Sequence, residues 1–168
     1  MALGIVERCK IEVWGRLRKL GGGDTMLASE MVQKTAEDKR DATFVRYELY
    51  TDRNARITNR DADYELCTYY GQLKYIFVLQ VPSSLGLESL PPTLEVPKVI
   101  ALGAIQQCRI LRHHPRLDIH YYKVLEATPE VVDVAAIQCL VGRTQWQGEW
   151  AIFDRSGDLA RAAPDFED

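Results

Sequence analysis

Long hydrophobic runs are missing from this 168-residue sequence. Its most apolar stretches, residues 75–81 and 99–105, fall far short of the roughly 20 residues that a membrane helix needs, so no membrane partner is predicted. Residues 1–10 contain Glu7 and Arg8 where an export signal requires an unbroken apolar core, so an intracellular location is expected. Cysteine pairs are absent too. Cys9, Cys67, Cys108 and Cys139 form no CxxC, which removes the zinc-ribbon and thioredoxin readings and leaves buried free thiols as the reading the residue type favours. No GxSxG elbow and no Cys-centred nucleophile motif occurs, and Gly21, Gly22 and Gly23 are not followed by GK[ST], so they are no phosphate-binding loop. Nor is there a strong excess of one charge: the net charge is −3. Residues 1–60 carry 12 Lys/Arg against 9 Asp/Glu and residues 61–168 carry 9 against 15, a gradient without the broad basic footprint of a nucleic-acid-binding domain.

What remains is a composition of 46% hydrophobic and 27% charged residues, close to the globular average. A chain of this length buries close to 70% of its surface without disulfide or metal. One domain over residues 1–155 is predicted, with an acidic flexible tail at 156–168. The dominant pattern is that of strands. Ile11, Val13 and Leu17 alternate with Lys10, Glu12, Arg16 and Arg18, which reads as a strand over 9–20, broken by the three glycines. Residues 26–41 fit a short strand or a helical turn, passing into a charged loop at 34–41. In 42–51, Val45, Tyr47 and Leu49 take one face and Arg46, Glu48 and Tyr50 the other. After a polar loop at 52–63, strands are expected at 64–70 and 72–81, hinged near Gly71. The second is apolar on both faces, as a strand covered on both sides would be.

Pro82, Pro91, Pro92 and Pro97 mark 82–97 as a loop or insertion. Strands follow at 99–111 and 117–125 around the turn His113, His114, Pro115, Arg116, then at 131–134 and 138–143 with a tight turn at 135–137, and last at 150–154. The fold class expected is mainly β: a small SH3-like or distorted barrel of about seven to nine strands, with long loops and little helix.

Few residues suggest chemistry. Most of the 24 carboxylates, including Glu37, Asp38, Asp41, Asp52, Asp61 and Asp63, stand in polar loops where a solvated charge suffices. Asp133, set between Val132 and Val134, reads as a turn cap accepting backbone N–H bonds. Cys108, His113, His114 and His120 are the one grouping of soft metal ligands, but a hairpin drawn through them puts the two tip histidines away from the others, so no metal is assigned. Aromatic rings are more suggestive. Trp14, Tyr47, Tyr50, Tyr69, Tyr70, Tyr121, Tyr122 and Trp146 lie on strands or beside loops, and adjacent pairs must point to opposite faces. Two or three such rings at a barrel mouth, with Glu48 or Glu149 nearby, would cage a cationic methyl-lysine; otherwise they serve as core and cross-strand pairs. A basic set, Arg16, Arg18, Lys19, Arg46, Arg53 and Arg56, would instead meet phosphates.

Four strings, VWGRLRKLGGGDTM (13–26), RDATFVRYELYTD (40–52), YYGQLKYIFVLQVP (69–82) and VVDVAAIQCLVGR (131–143), resemble in that order the C-terminal region of transposase-like proteins encoded by transposons of mushroom-forming fungi. The last two also resemble, more loosely, the strand order of bromo-adjacent-homology-type chromatin barrels. The first resemblance implies a non-catalytic accessory domain, since strand-transfer chemistry would need a separate metal-binding acidic domain. The second implies a chromatin setting and a nuclear location. The reading that results is a binding domain, without catalytic residues or cofactor, for a protein or histone-tail peptide. The alternatives are a nucleic-acid-binding module using the basic N-terminal half and, third, a metal-dependent hydrolase.

Overall fold

In a computed structural model, residues 8–20, 23–32, 41–82 and 98–154 are described; the expected turn at Gly21 and Gly22, most of the charged loop before Asp41, the proline-rich excursion after Pro82 and the acidic tail lie outside them. Eleven strands make up the described chain: β1 (Lys10–Trp14), β2 (Arg16–Arg18), β3 (Thr25–Leu27), β4 (Phe44–Asp52), β5 (Tyr64–Gln80), β6 (Val99–His113), β7 (Ile119–Leu125), β8 (Glu130–Asp133), β9 (Ile137–Leu140), β10 (Gly142–Trp146) and β11 (Glu149–Phe153). There is no α-helix among the described residues, and no helix long and apolar enough to cross a membrane. The domain is mainly β, as its two-residue periodicity predicts, with a curled sheet that makes a small distorted barrel.

Seven strands run in the order β10-β11-β7-β6-β5-β4-β9, while β1 pairs with β5, β8 with β6, and β2 with β3 in a separate hairpin. The sheet curls because its long strands change partners along their length. β5 pairs with β4 over Tyr64 to Gln72 and, further along, with β1 over Ile76 to Gln80. Between these partners its register against β6 shifts at Lys74, a bulge that bends the strand. There the carbonyls of Leu73 and Lys74 accept from the amides of Ser29 and Glu30 (2.8 and 3.2 Å), so the chain after β3 is tied to the bend. β6 likewise leaves β5 after Gln107 and pairs with β7 through two register shifts.

Both sheet faces are covered. On one, Met26, Val45, Tyr47, Leu73, Ile76, Ile105, Val132 and Ile137 form a core; on the other, Phe44, Tyr70, Cys108, Tyr122, Val141 and Ile152 form a second. Asp133 caps the 3-10 turn between β8 and β9 (Val134–Ala136), its Oδ1 accepting from the Ala135 amide at 2.7 Å.

Four sequence boundaries need correction, the first being that the strand expected over 138–143 is two, β9 and β10, parted at Val141. The strand expected over 9–20 is two, β1 and β2, parted at Gly15, and β1 lies along the outside of β5 with Ile11 and Val13 exposed rather than facing the core. The strands expected either side of Gly71 are one continuous β5. Gly71 does not hinge the chain; it permits close approach, because a Cβ there would lie 2.5 Å from the Ile105 side chain and 2.8 Å from the Gln106 carbonyl oxygen. The last strand begins at Glu149, since Gln147 (φ 50°) and Gly148 (φ 79°) make a tight β10–β11 turn with both central residues left-handed. The carbonyl of Gln106 is backbone and cannot step aside, so Gly71→Ala is expected to destabilise the fold by about 2–3 kcal/mol, read as a lower midpoint in chemical denaturation.

Candidate functional site

β5 is too long for the barrel that contains its C-terminal half. One edge of Tyr64 to Tyr70 is held by β4, but β6 joins the other only from Gly71 onward, so among the described residues no strand pairs with that second edge. β4 is held by β9 at Val45 to Tyr47 alone. Past Glu48, therefore, β4 and β5 project as a two-stranded arm. The register pairs Arg46 with Tyr70, Glu48 with Thr68, Tyr50 with Leu66 and Asp52 with Tyr64, so these eight residues share one face. Its outer part is apolar yet wet, with Tyr50, Tyr64 and Leu66 exposed by 72%, 65% and 51%.

At the base of that face the arm meets a polar network at the margin of the second core. The Tyr70 hydroxyl donates to Asp154 Oδ2 at 3.0 Å and also lies 3.0 Å from His120 Nε2. Arg46 reaches Glu48 at 2.6 Å and Asp154 at 3.4 Å, and the Asp154 side chain is only 2% exposed. Asp118 Oδ1 stands 2.9 Å from His120 Nε2, and His120 Nδ1 is 2.6 Å from His113 Nδ1. Burial, then the charge of Asp154, pushes the Tyr70 phenol well above its usual range, so it is a fixed donor. Burial also lowers His120, helped by neighbouring His113 and opposed by Asp118. The arrangement holds a buried carboxylate by a phenol and a guanidinium, which is how a charge is retained inside a small barrel.

The predicted aromatic residues divide among five places, Tyr50 lying out on the arm described above. Tyr47 and Tyr122 are core rings: Tyr47 stacks on Tyr69 at 5.6 Å, and the Tyr122 hydroxyl accepts from Arg143 at 2.7 Å. Tyr70 is committed to the network, and Tyr69 hydrogen-bonds the Thr51 hydroxyl at 2.6 Å. Trp14 ends β1, exposed, with its indole N–H donating to Glu12 at 3.3 Å. Tyr121 and Trp146 do converge, with Thr144, Ala151 and Phe153, on a depression of about 120 Å³ outside β7, β10 and β11. Its Tyr121 ring already carries a cation, because the Arg112 guanidinium sits 3.7 Å from the ring centroid and pairs with Glu149 at 2.9 Å. The set therefore does not form one cage, because neighbouring rings on a strand face opposite ways.

The basic set is dispersed as well. Arg16 and Arg18 are exposed on β2, Lys19 lies 3.5 Å from Gln138 Oε1, Arg53 pairs with Glu65 at 3.3 Å, and Arg56 is exposed in the β4–β5 loop. Arg46 is enclosed between carboxylates rather than offered to a phosphate. Of the four soft ligands, His113 and His120 meet, whereas His114 Nδ1 accepts from the Arg116 and Leu117 amides (3.2 and 3.1 Å) and Cys108 lies in the second core. Among the described residues no three His, Cys, Asp or Glu side chains gather closely enough to enclose a metal ion.

No protein family, curated protein or solved structure matches this chain. The transposase-like and chromatin-barrel resemblances consequently rest on the sequence strings alone.

Asp154 went unnoticed in the sequence, although Trp150, Ile152 and Asp154 share the inward parity of the last strand, and an inward carboxylate is a signal in itself. Leu66 and Tyr64 carry no distinguishing sequence signal, because their alternation resembles that of any half-buried strand. Removing the buried carboxylate leaves Arg46 and Tyr70 with less compensation, so Asp154→Ala is expected to cost about 3 kcal/mol of stability, measured by urea unfolding. Burial pushes the Cys108 thiol up to about 12. Iodoacetamide at mildly alkaline pH, followed by peptide mass mapping, is therefore expected to leave Cys108 unmodified in the folded protein and to label it only in denaturant.

Proposed function

We propose that the chain is a non-catalytic binding domain that takes an extended segment of a protein or chromatin partner along the edge of β5 over residues 64–70, where no described strand pairs. The observation that carries this reading is the projecting β4–β5 arm, whose free strand edge adjoins Tyr50, Tyr64 and Leu66 on one face. A two-stranded ribbon is marginal in water, and an exposed edge presents a row of unpaired N–H and C=O groups that an added strand satisfies. Main-chain bonds then supply affinity, while the alternating apolar side chains of the arm select apolar residues at every second position of the peptide. Origin within a transposon-encoded protein is part of the proposal only through the sequence resemblance. The dispersal of the basic set gives the nucleic-acid reading no comparable surface.

A displayed random-peptide library together with histone-tail peptides tests this directly. Selected peptides are expected to bind with little dependence on salt, to protect the amides of residues 64–69 from hydrogen exchange, and to lose at least about tenfold in affinity in Tyr50→Ala or Leu66→Ala proteins whose melting temperatures are unchanged. Failure to select any peptide, or nucleic-acid binding that falls steeply with added salt, would overturn the proposal.

A further inference from the structure

The β6–β7 hairpin brings two imidazoles together at its end. His113 and His120 are direct cross-strand partners, their rings lie edge to face at 88° with centroids 4.7 Å apart, and their Nδ1 atoms approach to 2.6 Å. The protons behind this pair can be traced. Tyr70 has one hydroxyl proton and donates it to the buried Asp154. The Asp118 carboxylate accepts, so His120 Nε2, which faces both the Tyr70 oxygen and Asp118, carries the N–H. Its Nδ1 is left as a lone pair aimed at His113.

We propose that His113 and His120 bind a late first-row divalent cation, Zn²⁺, Ni²⁺ or Cu²⁺, through their Nδ1 atoms, with water filling the remaining positions. Neutral imidazole suits these ions, and an N–H held by a carboxylate on the far side of the ring both orients a ligating histidine and makes it more basic. Asp118 holds that place here. Two bonds of about 2.1 Å at tetrahedral or square angles require the Nδ1 atoms to separate to roughly 3.0–3.4 Å. The exposed His113 has room to make that small movement, shifting its own proton to Nε2, while His120 stays fixed by its network. His114 takes no part, since its Nδ1 is occupied by two backbone amides of the turn.

The test is calorimetric titration of the full chain with Zn²⁺ and Ni²⁺, paired with visible absorption of its Co²⁺ adduct. One equivalent is expected to bind saturably in the parent and in His114→Ala. Affinity should fall at least tenfold in His113→Asn, which alters only an exposed ring, and about tenfold in Asp118→Asn. His120→Ala is to be compared by circular dichroism, because it also touches the buried network; His113→Asn decides the matter if that protein unfolds. Undiminished binding in His113→Asn, a thiolate-to-cobalt charge-transfer band pointing to cysteine, or no saturable binding would each overturn the assignment. None of these outcomes bears on peptide binding by the β4–β5 arm.

Discussion

A single residue, Val141, separates β9 from β10, yet β9 pairs with β4 and β10 with β11, the two ends of the seven-strand path. Strands joined so tightly cannot lie at opposite margins of a flat sheet, so the path has to curl until its ends approach. The Val141 amide marks the seam, donating to the Phe44 carbonyl at 3.0 Å. Arg143 closes it from the side: its guanidinium lies 3.6 Å from the Phe44 ring centroid and 4.2 Å from that of Trp150, while it bonds Tyr122 at 2.7 Å and Asp41 at 2.6 Å. Curling is what gives the inward face of β4 and β5 something to pack against. Phe44, Tyr122 and Ile152 come from three separate strands to fill it.

The same closure explains where the functional surfaces lie. A small barrel has room for only part of a 17-residue strand, and β5 overruns it. Where β6 turns away, the enclosed apolar interior gives way to Arg46, Asp154, Tyr70 and His120, polar groups that satisfy one another at the boundary between core and solvent. Farther out the same face is carried by Tyr50, Leu66 and Tyr64, with no second layer of described residues pairing along it. The network and the arm are thus consecutive stretches of one pleated face, differing in how much of the barrel reaches them.

Legibility followed the range of the interactions involved. β4 was readable because Val45, Tyr47 and Leu49 alternate with Arg46, Glu48 and Tyr50, and each parity meets a different environment. Asp133 was readable because a cap acts within two residues of itself. Gly71 misled, since a glycine that admits a neighbouring backbone looks the same in sequence as one that bends its own. The aromatic set misled for a related reason: Tyr121 and Tyr122 differ only in parity, yet Tyr121 lies beneath Arg112 at the lip of the outer depression and Tyr122 packs beside Phe44 in the second core.

Alternation, turn residues and caps act over a few positions, and they suffice to make this a chain of strands and to set roughly where most of them run. Partner choice acts over tens of residues. That β5 abandons β6 at Gly71, that His113 faces His120, and that Asp154 reaches Tyr70 across 84 positions were decided only when the sheet curled. Side-chain parity says which residues share a face, but only closure of the barrel says which of those faces are buried and which stay open to a ligand.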